Sequence, residues 1–171
     1  MIDKFTAAFR EETAKEEISL AEVAEDAMEL IGEELRNGFV RVETLYEPDL
    51  PTVTTFRNEM IQAFLNLLAN AKDILAAREV ADPALFLSVY RCEGGVCASV
   101  EDNGGGIDAQ DMDRIFEPYY TTKQELNKAG LGLYMAKLTV EEHSGGQLTA
   151  ENVKTPAGKG ARFTLRFPSP R

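Results

Sequence analysis

An apolar helical run at residues 64–77 carries two asparagines one turn apart, and this feature most constrains the fold. Asn66 and Asn70 are followed by Asp73, so amide oxygens and a carboxylate fall on adjoining parts of one helix surface. Asparagine is poor in a helix interior and costs free energy when buried without a partner. A single one is explained by capping or solvent exposure, but two at this spacing indicate a polar ligand. A hydrated Mg²⁺ held by a nucleotide fits, because Mg²⁺ prefers oxygen ligands and keeps several waters.

The size and charge of the chain narrow its class. A chain of 171 residues favours one domain, which can bury about 70% of its unfolded surface without a metal or disulfide staple. The net charge of −11 is concentrated in residues 1–36. This argues against a nucleic-acid partner, which would need a basic face. The sequence shows neither a membrane span nor a signal peptide. We therefore predict a cytoplasmic segment without membrane contact, and a membrane-anchored parent protein is compatible with this.

Two cysteines, Cys92 and Cys97, flank a pair of glycines. We predict that Gly94 and Gly95 form a two-residue hairpin turn and that the cysteines face each other across it. A disulfide is geometrically possible there, but reduced thiols are the expectation for a cytoplasmic protein. Two cysteines and one histidine do not make a zinc site.

Periodicity and turn residues predict a mixed α and β order. Ser19 and Glu22 form a possible capping box at the first helix. Helices are expected near residues 19–35, 55–78 and 131–142, and strands near 39–45, 85–91, 96–102, 147–153 and 161–167. Residues 103–128 lack a core pattern, and a segment of that length is usually functional or disordered.

Two further motifs follow. Asp102 ends a predicted strand and precedes a glycine run, so its carboxylate can accept a hydrogen bond from an amine such as that of adenine. Residues 130–133 open a helix with two glycines, where free N–H groups suit phosphate. Each motif alone is weak, since glycine and Asp-Asn turns are common. Neither a phosphate loop nor a dinucleotide fingerprint is present, so a nucleotide would lie in a cleft between helix, strand end and loop.

The order of the motifs resembles the catalytic ATP-binding domain of bacterial sensor histidine kinases, whose fold is shared with gyrase, Hsp90 and MutL ATPases. Residues 64–71 resemble the asparagine box and 102–106 the first glycine box. Residues 115–123 resemble the phenylalanine box, 130–137 the second glycine box and 160–163 the last box. The resemblance covers roughly residues 19–168, with ends known only to a few residues.

The resemblance implies roles for individual residues. Asn70 would supply the oxygen ligand of Mg²⁺, Asn66 would lie near the γ-phosphate, and Asp102 would recognise adenine. Lys123 would be a catalytic phosphate contact, and Phe116 would anchor residues 103–128 by its ring. From the glycine content and length of that segment, we further expect it to order over the nucleotide. The other residues that it places at the nucleotide are Asp73, Gly104, Gly106, Ile107, Thr122, Gly130, Leu131, Gly132 and Leu133.

Some positions depart from the family pattern. Lys128 and Ala129 stand where Gly-Thr is common, and Ala161 replaces a frequent threonine. Asp73 stands where many members carry a basic residue, which removes one phosphate contact. The only histidine, His143, is expected to be a helix C-terminal residue favoured by the dipole and not a phosphate acceptor.

The implied fold is a two-layer α/β sandwich, with a mixed, mostly antiparallel sheet and three helices on one face. Residues 1–18 would be a connector from a missing dimerisation and phosphoacceptor domain, and residues 19–171 the ATP-binding domain of a catalytic fragment. The implied function is binding of MgATP and transfer of its γ-phosphoryl group to a histidine of that helical domain, with a response regulator downstream.

Two alternatives stay open. An ATP-hydrolysing clamp of the gyrase or Hsp90 type would carry a glutamate general base where Asn66 stands. A nucleotide-dependent interaction module would bind ATP and change a partner surface without chemistry.

Overall fold

The computed structural model describes residues 14–120 and 130–169, in which the predicted helices and strands are found with ends shifted by a few residues. The elements are β1 (Glu16–Ile18), α1 (Leu20–Asn37), β2 (Arg41–Tyr46), β3 (Val53–Thr55), α2 (Arg57–Ala77), β4 (Ala84–Cys92), β5 (Gly95–Asp102), α3 (Ala109–Met112), α4 (Gly132–Lys137), β6 (Gln147–Thr155) and β7 (Gly158–Pro168). A π-helical segment, Leu138–His143, continues α4. Within the described ranges, no helix has the length and hydropathy needed to cross a membrane.

Five strands form the main sheet in the order β2-β4-β5-β7-β6. β2 and β4 are parallel, and the other three pairs are antiparallel. The predicted mixed, mostly antiparallel sheet in an α/β sandwich is therefore confirmed. β1 and β3 form a separate antiparallel pair, and Ile18 of β1 is buried. The last three residues of the predicted connector thus pair with β3 of the domain.

The core lies between the helices and one face of the sheet. Ser19 caps α1 by accepting a hydrogen bond from the Glu22 amide at 3.3 Å, as the sequence predicts. α2 lies in the middle of the layer and buries one side completely. Its buried residues are Met60, Ala63, Phe64, Leu67, Leu68, Ala71 and Leu75. Because this apolar side is held against the core, the rotation of α2 about its own axis is set.

The hairpin between β4 and β5 differs from the prediction. Glu93 and Gly94 make the turn, and Gly95 already pairs with Cys92. Gly94 has φ +75°, which favours glycine. Gly95 lies so close to β7 that a Cβ there would be 1.9 Å from the Phe167 carbonyl oxygen.

The prediction of reduced thiols is also wrong. Cys92 and Cys97 form a disulfide, with Cα atoms 6.0 Å apart. In the observed register Cys97 is opposite Tyr90, so the two cysteines are diagonal neighbours on one face of the sheet and do not pair directly.

Candidate active site

A cavity of about 280 Å³ opens between α2, the end of β5 and the start of α4. All five motifs of the family resemblance contribute residues to its described lining. They are Asn66, Ala69, Asn70, Asp73, Ile74, Arg78, Asp102, Gly106, Ile107, Asp108, Asp111, Ile115, Tyr120, Gly130, Gly132, Leu133, Ala161 and Phe163.

The helix side of the cavity is formed by polar residues of α2. Asn66, Asn70 and Asp73 follow one another at helical spacing, and all three line the cavity. The Asn66 Oδ1 atom accepts a hydrogen bond from Gln62 Nε2 at 3.0 Å. Since the opposite side of α2 is buried in the core, these polar groups are held toward the cavity.

The strand end contributes one buried carboxylate. Asp102 is only 3% exposed, and its Oδ1 accepts a hydrogen bond from the Gly104 amide at 2.8 Å. Burial raises the pKa of this carboxyl, while backbone hydrogen bonds from Gly104 and Ala161 and the charge of Arg78 oppose that rise. When ionised, this carboxylate is a fixed acceptor for an amine donor in the cavity.

The glycine turn after β5 is packed against the end of α2. A Cβ at Gly104 would lie 2.7 Å from Ile74 Cγ2, and Gly104 does not line the cavity. Gly106, with φ +88°, and Ile107 do line it. The predicted site residues of this turn therefore divide into one that packs behind the cavity and two that face it.

The start of α4 closes the opposite end. Gly130, Gly132 and Leu133 line the cavity, whereas Leu131 does not. A Cβ at Gly132 would lie 3.9 Å from the Asn66 Cβ. The second glycine motif therefore meets the asparagine helix at this end.

Phe116 supports the cavity from behind. Its ring packs edge-to-face on Phe163, with ring centroids 6.1 Å apart, and Phe163 lines the cavity. Lys137 Nζ lies 4.5 Å from the Phe116 ring centroid. Thr122 and Lys123, which the sequence analysis also placed at the nucleotide, lie outside the described residues.

The segment at residues 103–128 begins with a buried residue. Asn103 is 7% exposed, and its Oδ1 accepts a hydrogen bond from the Ala84 amide at 2.8 Å. Its Nδ2 donates to the Asp82 carbonyl at 2.8 Å. Asn103 therefore belongs to the framework of the sheet.

His143 lies away from the cavity lining. Its Nδ1 is 2.9 Å from a Glu59 carboxylate oxygen, so it joins the π-helical segment to α2. His143 is the last residue of the π-helical segment, the helix C-terminal position that the sequence predicts.

Several lining residues were missed by sequence reasoning. Ile74 continues the helical spacing of Asn66 and Asn70, so that spacing could have revealed it. No local sequence pattern could have revealed Arg78, because its side chain contacts the turn at residues 104–106, far along the chain. The other missed residues are Ala69, Asp108, Asp111, Ile115, Tyr120, Ala161 and Phe163.

The described lining is acidic. It contains four aspartates (Asp73, Asp102, Asp108 and Asp111), and its one Lys or Arg side chain is Arg78. Among the described residues, the lining therefore offers little positive charge to an anionic ligand.

Residues 56–171, more than half of the chain, match the family described as histidine kinase-, DNA gyrase B- and HSP90-like ATPases. The chain belongs to this family. The match over residues 56–171 and the individual motifs thus both identify an ATP-binding domain.

Relatives and solved structures lie among the sensor kinases of this ATPase family. The chain is 39% identical over 147 residues to the two-component sensor PprA of Pseudomonas aeruginosa and 30% identical over 155 residues to the sensor histidine kinase ZraS of Escherichia coli. These alignments cover 84% and 91% of this chain but only 15% and 31% of the relatives. The chain therefore corresponds to a small part of longer sensor proteins.

The fold matches the catalytic domain of the histidine kinase ThkA, with a TM-score of 0.76 and 23% identity over 91% of this chain and 95% of that one. The mycobacterial sensor histidine kinase MprB gives a TM-score of 0.72 at 23% identity, covering 92% of this chain and 99% of that one. The chain is thus a catalytic domain of the sensor histidine kinase type.

Proposed function

We propose that this domain binds MgATP in the cavity and transfers the γ-phosphoryl group to a histidine of a separate helical dimerisation domain. That histidine would then pass the phosphoryl group to a response regulator. The observation that carries the proposal is that Asn70 and Asp102, from two separate motifs, line one cavity. One ligand could therefore meet the Asn70 side-chain oxygen on its phosphate side and the hydrogen-bond-accepting carboxylate of Asp102 on its base side.

The cavity has two chemically different ends. Asp102, Ile74 and Phe163 combine a buried acceptor with apolar surface, which suits a purine. Asn66 and Gly132 meet at the other end, which suits the phosphates. Ile74 lies eight positions after Asn66 on α2, a rise of roughly 12 Å along the helix. α2 therefore sets the spacing between base recognition and phosphate transfer.

The residues present fit a magnesium ion that arrives with the nucleotide. Asn70 offers a side-chain oxygen and Asp73 a carboxylate one turn further, both hard ligands of the kind that Mg²⁺ takes. Within residues 14–120 and 130–169, no group of three or more His, Cys, Asp or Glu side chains is arranged to hold a metal by itself. This agrees with an ion bound by one or two protein groups and substrate phosphates. When bound, Mg²⁺ would offset charge on the phosphates during transfer.

In the proposed reaction, the protein mainly positions the terminal phosphate and the acceptor imidazole. A nitrogen of the acceptor imidazole would form a bond to the γ-phosphorus while the bond to the bridging oxygen breaks and ADP leaves. Asn66 would orient the terminal phosphate, and its neutral carboxamide cannot remove a proton from water. Transfer to an imidazole needs no such base, so the asparagine favours a kinase over an efficient hydrolase. Thr122 and Lys123 remain predicted phosphate contacts.

Phosphotransfer in trans tests the proposal. The domain is mixed with a purified helical acceptor domain of a sensor kinase and γ-³²P-ATP, and labelling of the acceptor histidine is followed. Wild type should label it, Asn66→Ala should bind nucleotide without efficient transfer, and Asn70→Ala should lose both. Asn37→Ala at the exposed end of α1 is the matched control and should label normally.

The alternatives give different results in the same experiment. Rapid steady-state hydrolysis without acceptor would favour an ATP-hydrolysing clamp and contradict the proposal. ATP binding with no labelling of any acceptor histidine would instead identify a nucleotide-dependent interaction module.

A further inference from the structure

Two side chains outside the recognised motifs hold the turn that follows β5. We call residues 104–107 the base-side turn. Arg78, at the end of α2, donates from Nη1 to the carbonyl oxygens of Gly104 at 2.6 Å and Gly106 at 2.7 Å. Asn152, on β6, accepts from the Ile107 amide at 2.7 Å and donates to the Ile107 carbonyl at 2.8 Å. The carboxamide of Asn152 thus pairs with Ile107 as a neighbouring strand would.

These contacts depend on the glycines of the turn. A Cβ at Gly106 would lie 2.8 Å from Asn152 Oδ1, and one at Gly105 would lie 3.2 Å from Arg78 Nη1. The Gly105 amide also donates to the Lys159 carbonyl at 2.9 Å. The base-side turn is therefore held from α2, from β6 and from the start of β7.

We propose that Arg78 and Asn152 are positioning residues for base recognition, which fix the base-side turn so that Asp102 and Ile107 keep their places in the cavity. This inference rests on the proposed binding of an adenine nucleotide. It assigns to two residues outside every recognised motif a part in the selectivity of the site.

A short chain of contacts connects Arg78 to the recognition carboxylate. The Gly104 carbonyl accepts from Arg78, and the Gly104 amide donates to Asp102 Oδ1 at 2.8 Å. Loss of the guanidinium would free Gly104 and so loosen the group that orients Asp102. The two hydrogen bonds also hold Arg78 at the base end, away from the end where Asn66 and Gly132 meet.

Base selectivity separates this role from a general effect on stability. ADP carries an exocyclic amine that an ionised Asp102 can accept from, whereas IDP carries a carbonyl oxygen there. Binding of Mg²⁺-ADP and Mg²⁺-IDP to the chain is measured by calorimetry for wild type, Arg78→Met, Arg78→Lys and Asn152→Ala. Arg91→Met is the matched control, because Arg91 also donates to a backbone carbonyl, that of Asp49 at 2.8 Å, on another part of the domain.

Wild type should prefer ADP, and Arg78→Met and Asn152→Ala should reduce the ADP-over-IDP preference by about tenfold through weaker ADP binding. Arg78→Lys should restore part of it, and Arg91→Met should not change it. Urea denaturation of each variant shows whether it is folded, and Arg78→Lys serves as the test if Arg78→Met is not.

An unchanged preference, or an equal loss of ADP and IDP binding, would overturn the inference while leaving nucleotide binding intact. Failure of the wild-type chain to bind ADP would instead overturn the proposed function and this inference with it.

Discussion

Gly130 and Gly145 have nearly the same positive φ angle but different surroundings, which makes them a matched pair for testing the proposed phosphate end of the cavity. Their φ angles are +72° and +69°. A Cβ at Gly130 would lie 2.8 Å from the Tyr119 carbonyl carbon and 2.8 Å from the Tyr120 carbonyl oxygen, whereas one at Gly145 meets nothing within 4 Å. Alanine at both positions therefore separates backbone strain from collision.

The two substitutions should differ in stability. Gly145→Ala should lower the free energy of unfolding by about 1–2 kcal/mol, the cost of placing an L-residue in the left-handed conformation. Gly130→Ala should have a similar conformational cost, and its Cβ would also collide with backbone atoms. Such overpacking should lower the free energy of unfolding by about a further 1–3 kcal/mol. Moving the chain apart to relieve it would break the hydrogen bond from the Tyr119 amide to the Gly130 carbonyl at 3.0 Å. Gly130→Ala should thus have the lower free energy of unfolding, by about 1–3 kcal/mol.

The two substitutions should also differ in nucleotide binding. Gly130 lines the cavity, so its displacement should weaken Mg²⁺-ADP binding about tenfold, the equivalent of one hydrogen bond to an ionised phosphate. Gly145→Ala should bind ADP like wild type. Urea denaturation gives the stabilities and calorimetry the affinities. Equal stability losses, or wild-type affinity in a destabilised Gly130→Ala, would refute the reasoning.

Four further predictions follow from the site and the core. Asn70→Ala should abolish the Mg²⁺-dependent part of ADP binding, measured by calorimetry with and without a chelator, because it removes the proposed oxygen ligand of Mg²⁺. Burial raises the pKa of Asp102, so the folded state holds that proton more tightly than the unfolded state. The resulting stability is present at acid pH and is lost as the pH rises through the folded-state pKa, so Asp102→Asn should flatten this dependence in urea titrations at successive pH values. Reduction of the Cys92–Cys97 disulfide, which closes a loop with a sequence separation of 5, should lower the free energy of unfolding by about 2 kcal/mol, while a Cys92→Ser variant should be insensitive to reductant. Phe64→Ala should cost about 3–5 kcal/mol in denaturation experiments, because that ring is fully buried on the core side of α2.

Local patterns predicted the long helices and the five strands of the main sheet, and together with the family resemblance they placed about half of the described cavity lining. Apolar spacing predicted α1 and α2, and the Ser19 cap was found where the sequence placed it. Asn70 was recognised as a polar residue in an apolar helix, which is costly unless a partner or a ligand compensates, and Asp102 as a carboxylate at a strand end before a glycine run. The structure then brought their motifs to one cavity.

Long-range packing decided the features that the sequence analysis got wrong or missed. The β4–β5 turn falls one residue earlier than predicted because Gly95 lies against the backbone of β7, which no local pattern reports. Likewise, a Cβ at Gly160 would lie 1.5 Å from the Asp102 carbonyl oxygen. The first residue of the last box therefore lies against the end of β5.

The sequence by itself determined which face of α2 is apolar and which polar groups on that helix need a ligand, because burial leaves a periodic trace along a helix. Only the tertiary structure decided what holds the base-side turn. Arg78 lies 26 residues from Gly104 and Asn152 lies 45 from Ile107, and a hydrogen bond over such separations leaves no periodic trace in either segment. It exists only after the end of α2, the turn and β6 have been brought together by the core.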